Sequence, residues 1–493
     1  MIRIKRSLIL KLTVFLSGAV VMIFELVGSR VVAPYLGNSS FVWTSLIGII
    51  LASLSLGYYI GGKLADKKAT MSQLSFIVLL SAGAVIFSYL IKDIFLTFSS
   101  TIFSDYRTQT LLVSIILFSP ASFLLGMISP YALKLELNDL SKSGSTAGNL
   151  YALSTLGSIL GTFSAGFFLI PALGTNEMLI YLTLLLIILS FLVSFKSYLA
   201  LKIIGLALIA TSLIWNFSYL QVKDWDNFVD VDSQYSRMWI FDTYYSGEKV
   251  KVLLKDGVSH SAKYLNKDDL VFDYIQLYDL AFQLKDKKSE ALMLGGAAYT
   301  YPQYFLNKYP ESKMTVVEID PKMTKLAEKY FDLDPYRDNL EIIHQDARIF
   351  LAKNKKKYDI IYGDAFSSYY SPPFHLTTIE ALKSLKDSLK PDGMAVINII
   401  SALQGEKSTF FVKEFNTLEK LFSNIIVFYT EDRDSFDKVQ NIVLVCSNDK
   451  SLNRGSFASL DKKWSDNIYY NLMIEGRGIL TDNFAPVEYY NLN

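Results

Sequence analysis

Seven stretches of about twenty apolar residues crowd the first 221 positions, at 12–33, 42–62, 74–91, 111–132, 150–172, 178–195 and 200–220. A hydrocarbon core is about 30 Å thick, so a helix rising 1.5 Å per residue needs roughly 20 apolar residues to cross it. Segments this dense and this lipid-compatible predict a multi-span α-helical membrane domain over residues 1–221. The first stretch is too long, and too embedded in a series, to be a cleaved signal peptide. Gly157, Gly161 and Gly166 suit close contacts between helices.

Lys and Arg cluster before the first stretch (Arg3, Lys5, Arg6, Lys11) and after the second (Lys63, Lys67, Lys68). More follow the fourth (Lys134, Lys142) and the sixth (Lys196, Lys202). That pattern puts the N-terminus in the cytoplasm. Seven crossings would carry the C-terminal half outside. A domain that uses a ligand made in the cytoplasm would have to lie inside. Either one stretch does not span, or a further embedded piece exists; residues 93–104 are a candidate re-entrant segment. Glu25 and Arg30 lie in or near the end of the first span. A charge buried there costs about 2.5–3.5 kcal/mol, so each is expected to face a partner or a cavity.

From Val222 charges and tyrosines return. Residues 229–262 alternate as strands do, which predicts a small antiparallel sheet within residues 222–289. Leu270, Tyr274, Leu277 and Ala281 give residues 268–284 a helical spacing. From residue 290 to 493 short strands alternate with helices: ALMLGG, TVVEIDP, LEIIHQDAR and KKYDIIYGDAF. The helix TIEALKSLKDSL stops at KPDG and leads to the strand MAVINII. IIVFYTED and NIVLVCSN read as a closing hairpin. The pattern is a parallel sheet wound on both faces, a Rossmann-like (class I methyltransferase-like) α/β domain.

Charge is nearly balanced, 48 basic residues against 47 acidic, which argues against nucleic acid as a partner. The single cysteine, Cys446, rules out an intrachain disulfide and reads as a core strand residue. His260, His344 and His375 lie far apart in the sequence, so no His/Cys metal site is expected.

Ligands of such sheets bind beyond the carboxyl ends of the strands. Gly295 and Gly296 end the first strand there, and Glu318 and Asp320 the second. Asp346 ends the third and Asp364 the fourth. Glycines without a Cβ let the backbone approach a ligand. Glu318 is placed to accept hydrogen bonds from both hydroxyls of a ribose. Asp346 can accept from an adenine amino group, or simply cap a helix. Asp364 is central, set for charge or proton work, or else a turn former. The turn G-G-A-A-Y-T lacks the third glycine of a dinucleotide fingerprint. An adenosine ligand without pyrophosphate fits better, which points to S-adenosylmethionine or a relative of it.

At these residues the chain resembles the spermidine/spermine synthase family of polyamine aminopropyltransferases, and more narrowly its bacterial membrane-fused members. The motifs are LGG at 294–296, VVEIDP at 316–321, DAR at 346–348 and GDAF at 363–366. PPFHLTT at 372–378 and LTDNFAPVE at 480–488 complete the set. The resemblance implies transfer of an aminopropyl group from decarboxylated S-adenosylmethionine to an amine, with Asp364 as proton acceptor. It implies nucleoside contacts at Gly295, Gly296, Glu318, Asp346 and Ala347, and another near Pro372. It implies no tightly bound cofactor, and it suggests a homodimer. The expected setting is the cell (inner) membrane, multi-pass, with the catalytic domain cytoplasmic. Departures fall on the acceptor side. Ala298 stands where the family carries an aspartate, and Ser236 where it carries a glutamine. FDY at 272–274 and DGVSH at 256–260 replace related segments. Asp273, Tyr274 and Tyr235 are the substitute amine contacts, with Asp256 a further one. Two other functions remain open: an S-adenosylmethionine-dependent methyltransferase, and a non-catalytic transporter or sensor that binds a nucleoside or polyamine.

Overall fold

The computed structural model describes residues 2–103, 105–137, 139–222, 228–284, 289–365, 372–431, 435–449, 455, 464, 466–470 and 478–490. The chain divides into two compact units. One comprises residues 1–225 with 231–237; the other comprises 226–230 with 238–493.

The first unit is helical. Among the described residues, six helices are long and apolar enough to cross a membrane: Arg6–Leu36, Ser40–Lys67, Met71–Ser99, Tyr106–Glu136, Leu140–Ala172 and Thr175–Val193. The seventh expected span falls in the helix Leu199–Val222. Its described apolar part, Leu199–Leu213, is short. Residues 93–102, the suggested re-entrant piece, simply continue the third helix, Met71–Ile102; Ser104 lies outside the described residues.

Glycines set how closely these helices approach. A Cβ on Gly57 or Gly61 would collide with the backbone at Phe123 or Met127 of the fourth helix. One on Gly157 or Gly161 would collide with Phe15 or Ala19 of the first. Gly166, expected to act likewise, has open space where its Cβ would lie. It sits in a π-helical turn, Ala165–Leu169. Arg30 pairs with Asp232 (3.2 Å) and donates to the Gln234 carbonyl (3.0 Å). The loop 231–237 thus anchors to the first helix.

The second unit holds most of a four-stranded antiparallel sheet, β1 (Val229–Asp232), β2 (Arg237–Tyr245), β3 (Glu248–Lys255) and β4 (Val258–Tyr264). The helix Asp273–Phe282 follows. It starts five residues later than its spacing suggests, because Leu270 bridges Lys263 as an extra strand residue. A seven-stranded sheet comes next. Its strands are β5 (Glu290–Leu294), β6 (Lys313–Glu318), β7 (Leu340–His344), β8 (Tyr358–Gly363), β9 (Leu389–Ser401), β10 (Asn424–Tyr429) and β11 (Gln440–Ser447). The order is β10-β11-β9-β8-β5-β6-β7. β5 to β9 run parallel, and β11 is antiparallel to both neighbours. Apolar clusters cover both faces, and Cys446 is fully buried in β11. KPDG, expected as a turn ahead of the strand, lies inside β9. Tyr358 pairs with Leu389 but Ile360 already pairs with Met394, so the turn bulges out of a continuing strand. The order reverses at β5, with β6 on one side and β8 on the other, and the crevice at a reversal is where such sheets take ligands.

Candidate active site

At the crevice the backbone of β5 turns sharply. Gly295 has φ +92° and Ala297 φ +43°. A Cβ on Gly295 would collide with the Asp364 carbonyl, so only glycine lets β5 and β8 stay this close. Tyr299, at φ +56°, starts the helix Thr300–Lys308.

Glu318, at the end of β6, braces this turn. Its Oε2 accepts from the N–H groups of Gly296 (2.9 Å) and Ala297 (3.2 Å). Its Oε1 accepts from Asp320 N–H (3.0 Å). The carboxylate is 6% exposed. Each oxygen keeps a further lone pair, so this bracing coexists with acceptance from a ligand. Asp320 caps the helix Pro321–Tyr330. Asp346 caps the helix Ala347–Lys353, accepting from Ile349 N–H at 3.0 Å. Its second oxygen lies 3.6 Å from His375 Nε2.

Asp364 stands between two cavities of about 170 and 100 Å³ and lines both, as do His260, Gly295 and Ala297. The larger is also lined by Lys255, Glu318, Asp346, Ala347 and Pro373. The smaller is lined by Ser259, Ser261, Tyr274, Thr300, Asn398 and Asn441, among others. The Asn398 Nδ2 donates to Asp364 Oδ1 at 3.1 Å. Burial pushes the Asp364 carboxyl up to about 6, while Asn398 and Tyr278 pull it partly back. The Tyr278 hydroxyl is close enough to favour the anion, yet it has no geometrically satisfied hydrogen bond. Asn398 is the hydrogen-bonded partner of Asp364. Burial, and then the nearby Asp364 carboxylate, raise Tyr274 far above the usual phenol range, so it stays a neutral donor.

Of the expected residues, Gly295, Glu318, Asp346, Ala347 and Asp364 meet at the larger cavity. Gly296 lines the smaller one. Pro372 is buried beside the larger cavity, and Pro373 faces it. Tyr274 lines the smaller cavity. Asp273 begins the same helix, next to Tyr245. Tyr235 belongs to the helical unit. Asp256 and Gly257 make the turn between β3 and β4, at φ +47° and +76°. Ala298 is fully buried, and its N–H donates to Ser261 Oγ at 3.1 Å. Phe366, the last residue of its motif, lies outside the described residues.

The sequence reading missed Asn398, Asn441, Tyr278 and Ser261. One signal was present: Asn398 is a lone amide in the apolar run MAVINII, and a polar group buried in a core strand needs a partner.

Residues 276–449 match the Spermine/spermidine synthase domain. A polyamine aminopropyltransferase of Vibrio vulnificus is 28% identical over 44% of this chain and 75% of its own length. Polyamine aminopropyltransferase 2 of Aquifex aeolicus is 22% identical over 79% of this chain and 78% of its own. A probable spermidine synthase of Corynebacterium glutamicum, a solved structure, is 22% identical with a TM-score of 0.44. That likeness covers 52% of this chain and 96% of the other.

Proposed function

From the premise that residues 276–449 are a spermine/spermidine synthase domain, we propose that this chain is a membrane-anchored aminopropyltransferase with Asp364 as its general base. The larger cavity takes decarboxylated S-adenosylmethionine. Glu318 accepts from the ribose, Asp346 from the adenine amino group, and Gly295 allows close approach. The smaller cavity takes the amine acceptor. One observation carries the reading: a single carboxyl, raised to about 6, lies where the two cavities meet. A base is most effective when its pKa lies near the working pH.

The step is a displacement at carbon. An ammonium N–H breaks and its proton goes to the Asp364 carboxylate. The freed nitrogen lone pair forms the new N–C bond to the aminopropyl methylene. The C–S bond breaks and its electron pair stays on sulfur, so the sulfonium leaves as neutral methylthioadenosine. Holding both reactants in one crevice supplies the alignment that such a displacement needs.

The six long apolar helices support a lipid bilayer as the setting. The donor is made in the cytoplasm, where the Lys/Arg pattern also puts the N-terminus, and the catalytic domain is read as lying on that side. An alkaline-phosphatase reporter fused after Asn493 tests this: an inactive reporter is expected, and an active one contradicts the topology.

A second reading rests on Lys255, which lines the larger cavity beside Glu318. A cation there suits the carboxylate of intact S-adenosylmethionine and hence methyl transfer. One assay separates the two readings. Purified protein is incubated with either donor and a panel of amines. Methylthioadenosine release above an Asp364→Asn control supports aminopropyl transfer. Methylated amine from the intact donor supports the second reading instead.

A further inference from the structure

Asn398 sits in β9 between Ile397 and Ile399, all three within 4% of full burial. Such a position normally holds an apolar side chain, because a buried amide must recover the hydrogen bonds it loses to water. Its Nδ2 does so twice, donating to Asp364 Oδ1 and to Asn441 Oδ1, each at 3.1 Å. Both amide hydrogens are then spent. Its Oδ1 is buried and accepts from nothing. The orientation is fixed, because an ionised carboxylate only accepts. Turning the amide over would set its oxygen against both the Asp364 and the Asn441 oxygens. An unsatisfied buried acceptor costs about 1–3 kcal/mol, and such orphans mark places where a partner arrives from outside. Asn398 lines the smaller cavity together with Asp364, Asn441 and Tyr274.

We infer that Asn398 Oδ1 is an acceptor-binding group that takes an N–H of the incoming amine while Asp364 takes another. This rests on the proposal that the smaller cavity holds the amine. Two fixed acceptors on one nitrogen define its orientation. One removes the proton; the other keeps the nitrogen from rotating, so that the freed lone pair points at the reacting carbon. The Asn398–Asn441 contact holds the amide plane, since Asn441 lies two register pairs away on β11, opposite Ile400 and so on the same face of the sheet.

The test measures binding, and so does not depend on turnover. Full-length protein saturated with methylthioadenosine is titrated with 1,4-diaminobutane and with n-butylamine by calorimetry. Asn398→Leu keeps the volume and removes both polar atoms. We expect at least a tenfold rise in the amine dissociation constant for Asn398→Leu. Methylthioadenosine affinity should hold within twofold, which also reports an intact fold. Amine binding by Asn398→Leu within threefold of the parent chain would overturn the assignment. So would the absence of saturable uptake of either amine by the parent chain. If the amine binds as expected but decarboxylated S-adenosylmethionine is never consumed, the transfer reaction fails and the Asn398 contact stands.

Discussion

The two cavities that meet at Asp364 are built from different materials. The larger is made from strand ends: the Gly295 turn, Glu318 after β6, Asp346 after β7. Its main groups accept from backbone N–H groups at the strand ends, Glu318 from its own loop and from the turn after β5, and Asp346 from its own helix, so each is positioned by backbone. The smaller is made from side chains on the faces of distant elements. Ser259 and Ser261 come from β4, Tyr274 from the helix Asp273–Phe282, and Asn398 and Asn441 from neighbouring strands. A site held by local backbone is demanding about its sequence, while a site assembled from element faces can change its side chains and keep its frame.

Three substitutions, read through four effects, probe that contrast, the largest effect first. Asp364→Asn removes the base common to both cavities, and the rate of methylthioadenosine release should fall by about 10²–10⁴-fold, the usual worth of general base catalysis. Glu318→Gln should raise the donor KM by roughly 10–100-fold. An amide cannot accept from both Gly296 and Ala297 on one side and Asp320 on the other, and a lost charged hydrogen bond is worth about 1.5–3 kcal/mol. The amine KM should stay within a few-fold; if it rises instead, the two cavities are not separate. Asp364→Asn also has a stability effect. Because folding raises this carboxyl from 3.8 to about 6, ionising it opposes folding. The penalty is absent below about pH 4, grows as pH rises, and is complete above about pH 6. At one unit per 1.36 kcal/mol, the variant should be more stable than the parent chain by about 1–3 kcal/mol at pH 8 and no more stable at pH 4, read by thermal melts. The smallest effect is that of Asp346→Ala, which removes a helix cap and should cost about 1 kcal/mol.

The same contrast explains how much was legible before the structure. Gly295, Glu318, Asp346 and Asp364 stand out because a parallel sheet places every strand end at one edge, so chain order alone brings them together. The β-strands themselves were readable from short apolar runs. The smaller cavity was not, because nothing local says that Asn398 and Asn441 lie side by side on β9 and β11. Tyr235 was expected among the amine contacts. It belongs to the helical unit, three residues after the Asp232 that pairs with Arg30. Leu270 was read as the start of a helix and pairs with Lys263 as strand; a bridge between distant residues outweighs a helical spacing. The helix ends at Asp387, ahead of KPDG, and β9 has already begun at Leu389, which pairs with Tyr358.

The central claim is that one carboxyl, held near neutrality, takes the proton from the nucleophile. Its most direct test is the pH dependence of the turnover rate at saturating donor and amine. The parent chain should show a rate that climbs with pH through an apparent pKa near 6 and then levels, and Asp364→Asn should show a small residual rate without that climb. A parent rate that stays flat from pH 5 to 7.5, or a climb that survives in Asp364→Asn, would contradict the account.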